Sequence, residues 1–430
     1  MRTMFFIFLI LALITLKSYS QPAEPLYYGA KSGEAIMQFE YFVETTAPAE
    51  ETMATILIDK QLTYLFGALS ANVSSAVPKV DHKINVLRTE KVNDLYRIYY
   101  QYQGTVVVKQ NARTVLSFPL PRNPQTIFAK SVVRGRDNVA DFRCNTDKQH
   151  LEERYFWYFW NPQLGGCPMI NGLDYDLIHA NLTWKQNTKI SYPEYSRLIE
   201  AGNIRIDILM GLNDSSLDHD PFKSRDVAAD NFRRLHKQLI KVGYQPKVWN
   251  LEEIRKIAPT AKENDVFVET LVKTTANAKI EIRFFFGGTS YFGENAFQYF
   301  MKDSIENANV YIYAGHSGLG ENLDVEKIER RNNFQIQFNP NKYQIFFFNG
   351  CSSYPYYNSS YFAKKSGSRN LDILTNGLAT FFSAINPSTY ALIQAIDIYA
   401  STGKRQSYQE IIKLGDSNNL LGINGDEDNP

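Results

Sequence analysis

Val310-Tyr-Ile-Tyr-Ala-Gly-His-Ser-Gly-Leu-Gly320 and Tyr343-Gln-Ile-Phe-Phe-Phe-Asn-Gly-Cys-Ser-Ser353 share one design. Each opens with a short apolar run and breaks into a polar elbow containing glycine. An uninterrupted apolar run of this length suits a strand covered on both faces, as in a parallel sheet between helices. Glycine at the strand end permits a tight turn that leaves the next side chain on the carboxyl edge. The residues so presented are His316 and Cys351.

The neighbouring sequence repeats the strand–helix rhythm. Ile204–Gly211 reads as an apolar strand. Asp226 to Lys241 reads as an amphipathic helix with Ala229, Phe232, Leu235 and Leu239 on one side, stopped at Gly243. Val266 to Ala276 is expected to be helical, Ile280–Phe286 a strand, and Asn295 to Ala308 a helix. A polar helix is expected around Asp324–Arg331 and another from near Asn358, with Leu371–Leu374 a strand and Gly377 to Ala400 largely helical. This alternation predicts an α/β domain, a mostly parallel sheet with helices on both faces, over residues 201–430. Right-handed crossovers gather the strand carboxyl ends on one edge, where sites form. From Leu26 to about Trp184 the pattern is instead one of short strands and turns, so a β-sandwich-like module is expected over 21–200.

Residues 1–20 read as a secretory leader: Arg2, an apolar run from Met4 to Leu16, then Ser18-Tyr-Ser20, with cleavage expected before Gln21. The expected location is secreted or periplasmic. No later segment is apolar for long enough to cross a membrane. The 46 basic and 45 acidic residues nearly cancel, which argues against nucleic acid as a partner. Three cysteines is an odd number for an oxidising compartment. A bridge between Cys144 and Cys167 would close a loop holding the run Tyr155–Trp160, adding about 3 kcal/mol by chain entropy, and would leave Cys351 as a free thiol. The Cys144–Cys167 bridge is the preferred pairing; the alternatives are that Cys351 pairs with one of the two, or is a small buried hydrophobe.

If the two strands are neighbours, imidazole and thiol share one surface, the arrangement a cysteine nucleophile needs. An imidazolium and a following helix N-terminus would both favour the thiolate. The alternative nucleophile is Ser317, in a serine-hydrolase elbow. Its glycine comes one residue late, and no histidine follows His316, as the Ser–acid–His order of that fold requires. A phosphatase loop would need arginine where Tyr357 stands. His82, His150 and His179 lack metal-ligand spacing and read as structural.

The order of His316 and Cys351, each closing a hydrophobic block, resembles the clan CD cysteine peptidases: the caspase, gingipain, legumain and clostripain group. Phe222–Asp226 and Leu239-Ile-Lys-Val-Gly-Tyr244 are similar to the Asp-started helix and its ending that open such domains. The sequence departs from the group in having Ser317 where Gly usually follows the histidine, and Gly350 where Ala often precedes the cysteine. The resemblance spans about Ile204 to Ala400. It implies a caspase/gingipain-like fold, with Cys351 as nucleophile and His316 as acid–base. The backbone N–H groups of Cys351 and of Ser317 or Gly318 would form the oxyanion hole, and the partner would be a protein or peptide substrate. No metal or cofactor is required. The Asp/Asn-rich stretch from Gly415 to Pro430 offers oxygen ligands of the sort calcium takes, without EF-hand spacing, and is expected to be a solvated tail. The alternative function is an exported binding or surface protein that keeps the scaffold without turnover.

Overall fold

The structure is a computed structural model and describes residues 25–427 except 71–75, 110–112, 135–139, 148–150, 215, 291–295 and 379–381. The expected leader therefore lies outside the described residues. The chain is α/β, with a nine-stranded mixed sheet and a separate five-stranded antiparallel sheet. Among the described residues no helix is long and apolar enough to cross a membrane.

Five parallel strands form the centre of the large sheet: Lys279–Gly287, Asn203–Gly211, Val310–Gly315, Gln344–Gly350 and Leu371–Asn376, in that spatial order. Numbered along the chain, they run 2-1-3-4-5. The sheet is less parallel than the sequence implies, because antiparallel strands extend both edges. One correction explains part of this. Val266–Thr274 is a strand, not a helix. Its Val266, Val268, Thr270, Val272 and Thr274 alternate, and β-branched residues spaced in this way suit a pleated surface better than a helix.

The double burial of the central strands follows from their pleat. Ile312, Ala314, Ile345 and Phe347 face a core shared with the helices Val227–Lys241, Phe382–Thr402 and Tyr408–Gly415. Tyr311, Tyr313, Phe346 and Phe348 face a second core, with Ala296–Asn307, Val325–Asn332 and Tyr354–Lys364. Helices therefore cover both faces. Asp226 starts its helix as an N-cap, its carboxylate accepting from Ala228 N–H at 2.7 Å.

The smaller unit differs from the expected sandwich. Its five strands make one sheet, covered by the helices Glu51–Thr63 and Leu65–Ser70. Leu57, Ile58, Leu62, Leu65 and Leu69 of those helices pack against Met37, Phe39, Tyr100 and Tyr102 of the strands. Cys144 and Cys167 form a disulfide, and Cys351 is free of one.

The two units also interleave in sequence. Tyr28–Gly29 pairs antiparallel with Ile423 and Gly422 at the rim of the large sheet, so the smaller unit is inserted between two strands of the larger. Nor is the tail solvated: Leu421–Asn424 is a buried strand beside Leu371–Asn376. Across the contact between units, Tyr354 Oη donates to the fully buried Glu34, which also lies 3.3 Å from both Lys79 and Lys185.

Lys365, just past the helix Tyr354–Lys364, is buried at 2 % exposure with its ammonium donating to Gln344 Oε1. Burial, then the charge of Lys342, pulls its pKa from 10.5 down to about 7. Above that value the folded amine is neutral, while the unfolded one keeps its proton up to its ordinary range. Stability therefore rises with pH across that window, by at most about 1.4 kcal/mol per pH unit. Urea titrations of the wild-type protein and of Lys365→Met from pH 7 to 9.5 are expected to differ by this slope, present only with the lysine.

Candidate functional site

Gly315 and Gly350 are register partners in adjacent parallel strands. His316 and Cys351 therefore leave the sheet side by side, from strands about 4.8 Å apart. His316 is exposed and Cys351 is partly exposed. The histidine strand borders Asn203–Gly211, where the strand order reverses, so the pair sits beside the topological switch point of the sheet.

Four neighbouring strands end in glycine here: Gly287 pairs with Gly211, and Gly315 with Gly350. At Gly350 the lack of a side chain is required. A Cβ there would lie 2.7 Å from the Gly315 carbonyl oxygen and 3.7 Å from Ser317 N. Alanine, common at this position in the resembled group, does not fit this backbone. Gly350→Ala is expected to lower stability by about 1–3 kcal/mol, the usual cost of overpacking, measurable by thermal unfolding.

Both elbows are pinned. The His316 carbonyl accepts from Tyr313 Oη at 2.5 Å and from Asn322 Nδ2 at 2.7 Å. The Ser317 carbonyl accepts from Tyr357 Oη at 3.1 Å and from the Gly320 and Asn322 N–H groups. Gly318, Leu319 and Gly320 all have positive φ, which winds the chain back beneath the histidine. On the other elbow Ser352 has φ of 44°, a conformation a non-glycine residue keeps only where its surroundings hold it. Those surroundings are explicit. Ser352 N–H donates to the Leu378 carbonyl at 3.0 Å, and Ser353 Oγ donates to the Phe348 carbonyl at 2.6 Å. Behind them Asn376 Nδ2 donates to Asn349 Oδ1 at 3.0 Å and to the Gly350 carbonyl at 3.3 Å.

Sequence reasoning missed two residues here. Asn213, just past the end of Asn203–Gly211, has its side-chain oxygen 3.2 Å from His316 Nε2. With Nε2–H donated to that oxygen, Nδ1 carries the ring's lone pair. A cysteine, a histidine and an orienting amide are the parts of a Cys-His-Asn arrangement. The second missed residue is Tyr158, from the smaller unit, whose hydroxyl donates to Ser352 Oγ beside the cysteine. Burial pushes the Tyr158 phenol up, and Cys351 adds to it. Tyr313 is likewise raised, first by burial, with Cys351 again contributing. Neither missed residue had a local signal, since each meets the site across a long stretch of chain.

Among the remaining sequence candidates, Ser317 is 5 % exposed, less open than either His316 or Cys351. Tyr354 and Tyr357 are buried, at 1 % and 2 % exposure, with their hydroxyls donating to Glu34 and to the Ser317 carbonyl. His82 lies 3.2 Å from Asp59, and His179 Nδ1 lies 2.7 Å from Ser117 Oγ; His150 is outside the described residues. Among the described residues no group of three or more His, Cys, Asp or Glu side chains is placed to hold a metal ion. Compared with family models and with curated proteins, the chain matches none.

Proposed function

We propose that the protein is an exported cysteine endopeptidase on a caspase/gingipain-like scaffold. The observation that carries this reading is the register pairing of Gly315 with Gly350, which sets His316 and Cys351 on adjacent strand ends at the switch point. In the proposed reaction Cys351 Sγ attacks the scissile carbonyl carbon while His316 takes the thiol proton. Asn213 holds the imidazole through Nε2, and backbone N–H groups of Cys351 and of Ser317 or Gly318 receive the oxyanion. Collapse of the tetrahedral species breaks the C–N bond, and His316 returns the proton to the leaving amine. Water, deprotonated by His316, then releases the acid from the thioester and restores the thiol. Export is supported by the Cys144–Cys167 disulfide, a bond typical of oxidising compartments.

Alkylation tests the reading directly. Iodoacetamide is expected to label Cys351 quickly and in a pH-dependent manner, with the fast labelling lost in His316→Ala; peptide mass mapping reports both. An inert Cys351 overturns the reading and leaves a binding protein on the same scaffold.

A further inference from the structure

The aromatic run Tyr155–Trp160 lies within the loop closed by the Cys144–Cys167 disulfide, and two short helical turns divide its rings between two directions. Phe156 and Trp160 are buried in the core of the smaller unit. Tyr158 turns the other way, into an apolar cluster shared by both units. Its ring stacks on Phe66 at 5.9 Å, and Phe66 in turn stacks on Tyr356 of the large unit at 5.9 Å and 4°. The Tyr158 hydroxyl ends at Ser352, the residue after the proposed nucleophile.

The partly exposed rim of this cluster is what a substrate would meet. It consists of Trp157 and Phe159 from the smaller unit, Leu319 from the histidine elbow, Leu378 whose carbonyl holds Ser352 N–H, and Tyr356. Phe159 sits 4.9 Å from Tyr158 and Trp157 sits 5.7 Å from it, both edge-on. None of these side chains carries a formal charge. A charged substrate side chain pressed against such a wall gives up water without gaining a counter-ion. An aromatic one gains buried area and edge-to-face ring contacts.

We infer that the disulfide-closed loop of the smaller unit builds one wall of the substrate cleft, and that this wall takes a bulky apolar, preferably aromatic, side chain beside the bond that Cys351 attacks. This inference rests on the peptidase reading.

The test uses the full disulfide-bonded chain and peptidyl acyloxymethyl ketones carrying Phe, Leu, Lys or Asp next to the ketone. In labelling, the thiolate forms a carbon–sulfur bond and displaces the acyloxy group as a carboxylate, so mass spectrometry reads the rate at Cys351 without turnover. The Phe label is expected to react at least about tenfold faster than the Lys or Asp label, the scale on which an apolar pocket discriminates. In Trp157→Ala and in Phe159→Ala that ratio is expected to fall severalfold, with each variant's iodoacetamide rate as the reference for thiol reactivity. A Lys or Asp label that reacts fastest in the wild-type protein overturns the inference. So does a Phe-to-Lys ratio unchanged in both variants. In either case His316-dependent iodoacetamide labelling leaves the peptidase reading standing. If neither iodoacetamide nor any ketone modifies Cys351, the peptidase reading falls and takes the inference with it.

Discussion

Cys351→Ala is expected to lower turnover of a denatured protein substrate by roughly four orders of magnitude or more, the scale seen when a covalent nucleophile is removed. The reason is geometric as well as chemical. Cys351 is partly exposed at its strand end, whereas the nearby hydroxyl residues Ser317, Ser352 and Ser353 are all buried. In the proposed reaction His316→Ala is expected to fall to a similar floor, because a nucleophile and its base act as one unit and their losses do not add. Asn213→Ala should separate from both. Asn213 Oδ1 lies 3.2 Å from His316 Nε2, so in the proposed reaction its loss misplaces the ring and lowers kcat by up to roughly a hundredfold, with little change in KM. Steady-state kinetics on the three variants distinguishes these outcomes. A Cys351→Ala protein that still cleaves, or an Asn213→Ala effect confined to KM, contradicts the scheme.

The second large effect concerns stability. Asp207, fully buried on Asn203–Gly211, accepts from Arg205 Nη2 at 2.9 Å and from Arg283. Arg283 is itself buried, reaches Asp303 with its other terminal nitrogen at 2.6 Å, and lies 5.1 Å from the Phe300 ring and 5.8 Å from Trp249. Asp207→Ala leaves a guanidinium in the core with one carboxylate shared between two arginines. A loss of about 3–5 kcal/mol is expected, the range for breaking a buried pair from one side. Urea unfolding followed by fluorescence of Trp249, which borders the network, measures it. Asp207→Ala/Arg283→Met is expected to recover part of the loss, since the stranded charge is removed.

The same network contributes to stability toward acid. Burial alone would raise Asp303, but Arg283 and then Arg205 outweigh it and hold its carboxyl below the ordinary range. A depressed carboxyl contributes stability above its unfolded pKa and loses it as pH falls through the folded value. Stability from this source is therefore complete above about pH 4 and declines below it.

Legibility of the fold followed burial. Tyr311–Ala314 and Ile345–Phe348 were readable because a strand covered on both faces holds a polar residue only where a buried partner meets it, so these runs are apolar. Val266–Thr274 misled because it lies toward one edge, where one side is less covered; strand–helix alternation then suggested a helix although the β-branched spacing pointed to a strand. Glu51–Thr63 was absorbed into a β reading although Ala54, Leu57, Ile58, Gln61 and Leu62 recur at helical spacing. At the candidate site, the placement of His316 and Cys351 at the ends of neighbouring strands was legible from their glycines. Asn213 and Tyr158 were not, because one is a loop residue and the other part of a short helical turn, and only the fold brings each to its distant partner.

The pairing of Tyr28–Gly29 with Leu421–Asn424 bears on how the molecule is made. These strands are separated by nearly the entire chain, so the loop closed on joining them contains the smaller unit and nearly all of the larger. Emerging from the ribosome, residues 28 and 29 must wait until the chain has been extended past residue 424, and the segments between them can collapse first. Such long-range pairing is slow to nucleate. Until it forms, the outer edge of Leu421–Asn424 is an open strand, available to any other strand it meets.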